Sequence, residues 1–175
     1  SDLYDFKGLS YKDFYPRFIK KFKLSESTND IRFKVRTYLH KIMEEELRYI
    51  SGFEVFFKSY ILNKGFKVGL VTNTTRATYN KIQTILNIDD YFQFVITATE
   101  SQRPKPSSAP YLEAMESLCL SPKETLIIED SKAGLISAVN SGAHVVGLKT
   151  SLSSSQIQDI SKKIYAINHF RELAL

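Results

Sequence analysis

The chain has one cysteine, Cys119, in 175 residues. No internal disulfide can hold it together, and the place of Cys119 in an apolar helical pattern predicts a buried thiol. Both points fit a reducing cytoplasm. Long hydrophobic runs are also missing. Stretches such as Leu126-Ile127-Ile128 and Val145-Val146 are far too short to span a bilayer, so no membrane partner is expected. The opening residues Ser1 to Asp5 lack a basic region followed by an apolar one, which predicts no secretory signal. There are no repeats and no low-complexity tract beyond the short run Ser151 to Ser155. The net charge is +5 and the pI about 9.2, but the basic residues are mixed with acids, as in Lys12-Asp13 and Lys123-Glu124. Without a basic block interleaved with aromatics, this reads as a solvated surface and no nucleic-acid partner is expected. His40, His144 and His169 show no ligand spacing and are assigned no role.

What is present divides by period. Phe14, Phe18, Ile19 and Phe22 recur at helical spacing. The polar stretch Ser25 to Asp30 can break and re-cap the chain. Ile31, Val35, Tyr38, Leu39, Ile42, Met43 and Leu47 then form the apolar stripe of a long amphipathic helix. Gly52 punctuates, and Val55, Phe56, Tyr60 and Ile61 predict a further helix that stops at Asn63-Lys64-Gly65. From about residue 66 short apolar runs take over, near 68–71, 94–96, 125–128, 145–148 and 164–167. Helical patterns near 75–87, 108–119, 132–141 and 154–162 separate them. Continuous apolar strands alternating with helices predict a doubly wound α/β fold, a parallel sheet covered on both faces. Ligands in such sheets sit beyond the carboxyl ends of the strands, so the residues just after each run carry the functional reading.

After the first run stand Thr72 and Asn73, a hydroxyl and main-chain N–H groups where a strand turns into a helix; they suit an anion, and equally a helix cap. After the second, Lys105 lies between Pro104 and Pro106 on a backbone that cannot be helical. A lysine held there can neutralise a phosphoryl or carboxylate charge, although by itself it reads as well as an exposed lysine in a turn. After the third run come Glu129 and Asp130. Adjacent carboxylates following a buried strand suit a hard cation such as Mg²⁺, or cap the next helix. A hydroxyl, a lysine and an acid pair at three successive strand ends together make one site for a phosphate and a divalent cation.

In this order the motifs resemble those of the haloacid dehalogenase superfamily, in the branch with a helical cap that includes β-phosphoglucomutase-like phosphatases. Gly69-Leu70-Val71-Thr72-Asn73-Thr74 looks like the second motif, which implies that Thr72 binds the transferring phosphoryl group with Asn73 beside it. Arg103-Pro104-Lys105-Pro106 looks like the third, with Lys105 as its lysine. Ile127 to Gly134, running on to Ala143, is similar to the fourth, which implies Asp130 as the main Mg²⁺ ligand with Glu129 assisting. Phe6 to Asp13 resembles the cap stretch that faces substrate, which would bring Gly8, Leu9 and Ser10 to it. β-Phosphoglucomutases typically carry an arginine where Tyr11 stands, so a broader phosphatase is the safer implication.

The family's first motif, Asp-x-Asp-Gly at the end of the central strand, supplies a nucleophile that forms an aspartyl-phosphate and a general acid and base. No Asp-x-Asp occurs in this chain. The nearest stretch, Leu3 to Gly8, puts Lys7 at the acid/base position, where a charged ammonium could not accept a proton near neutral pH. Reading Phe6 to Ser10 as cap sequence accounts for more residues and for the spacing to Thr72. On that reading about 40 residues are missing upstream, a strand and a helix by the size of βα units. The resemblance thus implies residues 1–50 as a partial helical cap and 51–175 as an α/β core whose central first strand is missing. The gap would be filled by a separate N-terminal fragment, by the chain's own N-terminus, by a partner chain or by a rearranged sheet, and the sequence does not choose among them. The implied activity is Mg²⁺-dependent hydrolysis of a small phosphorylated metabolite, with this chain inactive by the covalent route when alone. The alternative is a non-catalytic binding protein on the same scaffold.

Overall fold

Ser27 starts the long helix expected after the polar stretch: its Oγ accepts the N–H of Asp30 at 3.2 Å, the cap that a helix N-terminus needs. The computed structural model describes Phe6 and residues 11–173, and the chain divides into two units at Leu47 and Arg48. In the first unit α1 (Tyr11–Phe22) pairs with α2 (Thr28–Glu46). Phe14, Phe18 and Phe22 follow one another along α1, with centroids 5.3 and 4.7 Å apart, and Phe6 packs edge-on against the first two. The apolar stripe of α2 is only partly covered. Ile31 is buried, whereas Tyr38 is 70% and Ile42 52% exposed. A 12-residue α1 is about 18 Å long and cannot cover a 19-residue helix of about 28 Å.

The second unit carries the alternation. A short α3 (Phe53–Phe56) runs on as a π-helical turn to Ile61. There follow β1 (Gly69–Val71), α4 (Arg76–Leu86), β2 (Phe94–Ile96), α5 (Ala109–Ser117), β3 (Leu126–Glu129), α6 (Lys132–Ser141), β4 (His144–Leu148), α7 (Ser154–Ile160) and β5 (Tyr165–Ile167). Every strand pairing is parallel. The sheet is in two pieces, however: β1 pairs with β2, and β3-β4-β5 forms a separate three-stranded sheet.

Both faces of the strands are covered, which is why their sequences are continuously apolar. Ile127 packs with Tyr111 and Met115 of α5 and Ala138 of α6. Val146, Leu148 and Ile167 pack on the opposite side with Phe56 and Phe170. Leu135, Ile157 and Ile164, nearly or wholly inaccessible, join α6 and α7. Gly142 ends α6 at φ +82°, the left-handed conformation a helix C-terminus favours for glycine.

The buried thiol is a correction. Cys119 is exposed: α5 stops at Ser117, and Cys119 takes φ +53° in the turn that follows, off the helix face its spacing suggested.

One ionic network at the end of β2 has a pH signature. Glu100 accepts the Arg76 guanidinium at 2.9 Å and, on its other oxygen, the N–H and hydroxyl of the inaccessible Thr97 at 2.8 and 2.6 Å. The Arg76 hydrogen bond, aided by those from Thr97 and opposed by burial, holds the Glu100 carboxyl down from 4.5 to about 2. A depressed carboxylate stabilises the fold above its unfolded pKa, and that stabilisation is lost as pH falls through the folded one. Urea midpoints should therefore fall from pH 4.5 towards 2. Glu100→Gln should be less stable at the upper end and lose less on acidification; parallel curves for the two proteins would refute this.

Candidate active site

Three loops at the carboxyl ends of β1, β2 and β3 converge on Lys105. The Lys105 side chain is buried, 7% exposed. It donates to the main-chain oxygen of Val71 at 3.0 Å and to Glu129 Oε1 at 3.2 Å, and it lies 5.6 Å from the centre of the Tyr111 ring. A buried ammonium needs such partners, because a charge removed from water costs several kcal/mol unless paired and hydrogen-bonded. Burial, then the carboxylates of Glu129 and Asp130, push the Tyr111 phenol far above its usual range, so it stays neutral beside the pair.

Asn73 fixes the loop that carries this lysine. Its side-chain amide donates to Lys105 O at 2.9 Å, and its Oδ1 accepts Lys105 N–H at 3.1 Å. With its side chain so engaged, Asn73 has its main-chain N–H to offer an anion. Thr72, the first residue past β1, accepts Thr74 N–H on its Oγ at 3.0 Å and keeps its own hydroxyl proton for a ligand.

Glu129 and Asp130 separate in role. The Glu129 carboxylate is 8% exposed and fully engaged, by Lys105, by the Ser131 hydroxyl at 3.0 Å and by Asp130 N–H at 3.3 Å. It lies against the first turn of α6, where Gly134 leaves it room: a Cβ there would stand 2.0 Å from Glu129 Oε1. Asp130 is half-buried. The Thr150 hydroxyl donates to its Oδ2, and the Ser151 hydroxyl donates to its main-chain oxygen at 2.7 Å. Among the described residues no three or more His, Cys, Asp or Glu side chains are placed to hold a metal. A cation at Asp130 would take its other ligands from water and from the bound anion, which suits Mg²⁺, an ion that commonly keeps several waters and uses one or two carboxylates.

Thr72, Asn73, Lys105, Glu129 and Asp130 are thus all in one place. Gly8, Leu9 and Ser10 lie outside the described residues. Sequence reasoning missed Thr150 and Ser151, which lie just past Lys149 after β4; the strand-end rule applied to the other strands would have pointed to them. The motif reading includes Gly134 without giving it a role and omits Tyr111; for both, only the three-dimensional approach to Glu129 and Lys105 is a signal. Beside the site, a cavity of about 410 Å³ runs between β1 and β3, lined by residues 67–72 and 125–130 and by α5. No helix among the described residues is long and apolar enough to cross a membrane.

The profile of the haloacid dehalogenase-like hydrolases matches residues 1–148. A Clostridium perfringens relative is 28% identical over 144 residues, 82% of this chain and 65% of that protein. A pyrophosphatase PpaX of Bacillus mycoides is 26% identical over 110 residues, 63% of this chain and 51% of its own length. The chain therefore spans about half to two-thirds of these curated relatives. A phosphoglycolate phosphatase of Aquifex aeolicus is 28% identical and covers 89% of the chain and 79% of its own length. In fold, the β-phosphoglucomutase of Clostridium difficile superposes with a TM-score of 0.74 at 20% identity, over 98% of this chain and 76% of that one.

Proposed function

Because the chain belongs to the haloacid dehalogenase-like hydrolases, we propose that it is the phosphate- and cation-holding part of a Mg²⁺-dependent phosphohydrolase acting on a small soluble phosphate ester. The observation that carries this reading is the Lys105 ammonium, buried against Glu129 and Val71 where the strand ends meet. A cation fixed there by protein neighbours stands ready for the charge on a transferring phosphoryl group without reorganising at the moment of reaction. The Thr72 hydroxyl and the N–H of Asn73 would bind phosphoryl oxygens. Asn73 would keep Lys105 in place through its main chain, and Thr150 and Ser151 would orient Asp130. Asp130 would hold Mg²⁺, with Glu129 acting through Lys105 and Ser131; the metal, when bound, supplies charge neutralisation at the phosphoryl oxygens. The nucleophilic aspartate that the family resemblance implies would come from a segment outside residues 1–175, which leaves this chain inactive by the covalent route when alone. A reducing cytoplasm suits the single exposed thiol.

The names of the relatives suggest the first substrates to try. The product of the native gene should release phosphate from pyrophosphate, phosphoglycolate or another ester in a broad panel when Mg²⁺ is present, and lose that activity with a chelator. Thr72→Val should lower turnover by about 10²–10³-fold, the usual effect of removing one donor to a developing negative charge. Absence of turnover on every ester would refute the reading and turn attention to a non-catalytic binding protein, which the open cavity between the two sheets would then favour.

A further inference from the structure

The side of β2 away from β1 is an outer edge of the sheet. Among the described residues β2 pairs with β1 alone, with Gly69, Leu70 and Val71 opposite Phe94, Val95 and Ile96. Thr72 N–H donates to Ile96 O at 3.0 Å, so Ile96 serves β1. Main-chain groups alternate between the two sides of a strand, and the N–H and C=O of one residue share a side. Val95, and the N–H of Thr97 just past the strand, therefore turn outward. A row of such groups is a template for a strand of another chain.

Two charged side chains occupy this edge. The Arg76 guanidinium donates through one terminal nitrogen to Val95 O at 3.2 Å and through Nε to Glu100 Oε1 at 2.9 Å. The other Glu100 oxygen accepts the N–H and hydroxyl of Thr97 at 2.8 and 2.6 Å. The outward acceptor of Val95 and the outward donor of Thr97 are thus met by the two halves of one ion pair. The pair is anchored from its own side, since Arg76 N–H donates to Thr99 Oγ at 2.9 Å and the guanidinium lies 5.1 Å from the centre of the Tyr79 ring. Both side chains keep about a third of their surface in water, 34% and 38%, which a strand laid along the edge would strip away. The outer edge of β5 is met in the same manner. Lys149 N–H donates to Ile167 O at 2.8 Å, so Ile167 serves β4 while Ile164 and Asn168 turn outward. Ile164 O accepts the Gln158 amide at 2.8 Å, and Asn168 N–H donates to Glu172 Oε1 at 3.1 Å. At β2, unlike β5, a single substitution would uncover the edge.

We infer that the Arg76–Glu100 pair is a plug that keeps the β2 edge from pairing with the β2 edge of a second copy of this chain. The edge is self-complementary. About a two-fold axis, two antiparallel β2 strands place Val95 opposite Val95, where the N–H of each donates to the C=O of the other. With the plug in place Val95 O is already taken, and closing the two edges together would remove two charges from water. Charges turned in at an edge are one means by which sheets avoid such pairing. The inference rests on backbone and ion pair alone, so it stands whether or not the phosphohydrolase reading does.

Sedimentation velocity of the wild-type and Arg76→Ala chains over one concentration series, with amide exchange followed by NMR, tests this. Arg76→Ala should self-associate at least ten-fold more tightly than wild type. Exchange of its Val95 amide should slow at least ten-fold between the lowest and highest concentrations, while that of wild type stays constant. Adding Val95→Pro removes the outward N–H at an edge position where proline is tolerated, and should return association to the wild-type level. That reversal separates edge pairing from association through partial unfolding, which a proline would not cure. Arg76→Lys keeps a charge beside Glu100 but loses the two-armed fork. It takes the place of Arg76→Ala if that variant does not fold, with the same results expected. Unchanged association of the folded variant, association that survives Val95→Pro, or concentration-dependent protection confined to other amides would overturn the inference. So would a wild-type Val95 amide that gains protection with concentration, since the edge would then already be in use.

Discussion

Replacing Lys105 by methionine is expected to lower the unfolding free energy by about 3–5 kcal/mol, the usual cost of leaving one partner of a buried ion pair alone. Methionine keeps most of the volume and the contact with Tyr111 but removes the charge. Glu129, 8% exposed, would then hold a carboxylate in an apolar setting with only the Ser131 hydroxyl and the Asp130 N–H to support it, and Val71 O would lose its donor. Little water reaches the pair to screen it, so the surface value of roughly 0–1 kcal/mol for an ion pair does not apply. Adding Glu129→Leu should restore most of the loss, because two apolar residues of similar size replace a buried pair at little cost. Denaturant unfolding of the two single variants and the double variant measures this. A loss under about 1 kcal/mol for Lys105→Met would mean that the pair is solvated and the site is open.

Gly134→Ala tests the same site from the helix beneath it. On helix propensity alone alanine would stabilise α6 by about 1 kcal/mol. Its Cβ, however, would stand 2.0–2.3 Å from the Glu129 carboxyl atoms. A carboxylate at the end of a free side chain would swing away cheaply. This one is held by Lys105, Ser131 and the Asp130 N–H, so moving it breaks those bonds. The overlap should prevail, with a net loss of about 1–3 kcal/mol, the range for overpacking a filled site. In a Glu129→Ala background the obstacle is gone, and Gly134→Ala should become neutral or stabilising. That change of sign is a coupling between residues five apart, which additive effects would not produce. Equal effects in both backgrounds would show that the carboxylate does not occupy the place described.

Asn73 shows how far a motif can be read. Its position after an apolar strand marks it as part of a site, and it lies there. Its side chain nevertheless serves the Lys105 main chain, a residue 32 positions away, and no local pattern contains that partner. Glu129 is similar. Paired with Asp130 in sequence it reads as a metal ligand, yet consecutive residues at a strand end point opposite ways, and Glu129 points at Lys105. Thr150, outside every motif, reaches Asp130 because β4 lies beside β3.

The sequence by itself determined the elements and their order. The period of apolar residues, the capping serines and threonines, and the strand-end positions of Thr72, Lys105, Glu129 and Asp130 all depend on residues a few positions apart, where backbone geometry governs. Only the tertiary structure decided which charged groups pair, that Cys119 faces solvent, that the middle of the α2 stripe, Tyr38, Leu39 and Ile42, is exposed, and that the sheet is in two pieces about a cavity. Burial and pairing depend on residues distant along the chain, and a side chain's surroundings follow from which elements pack against it.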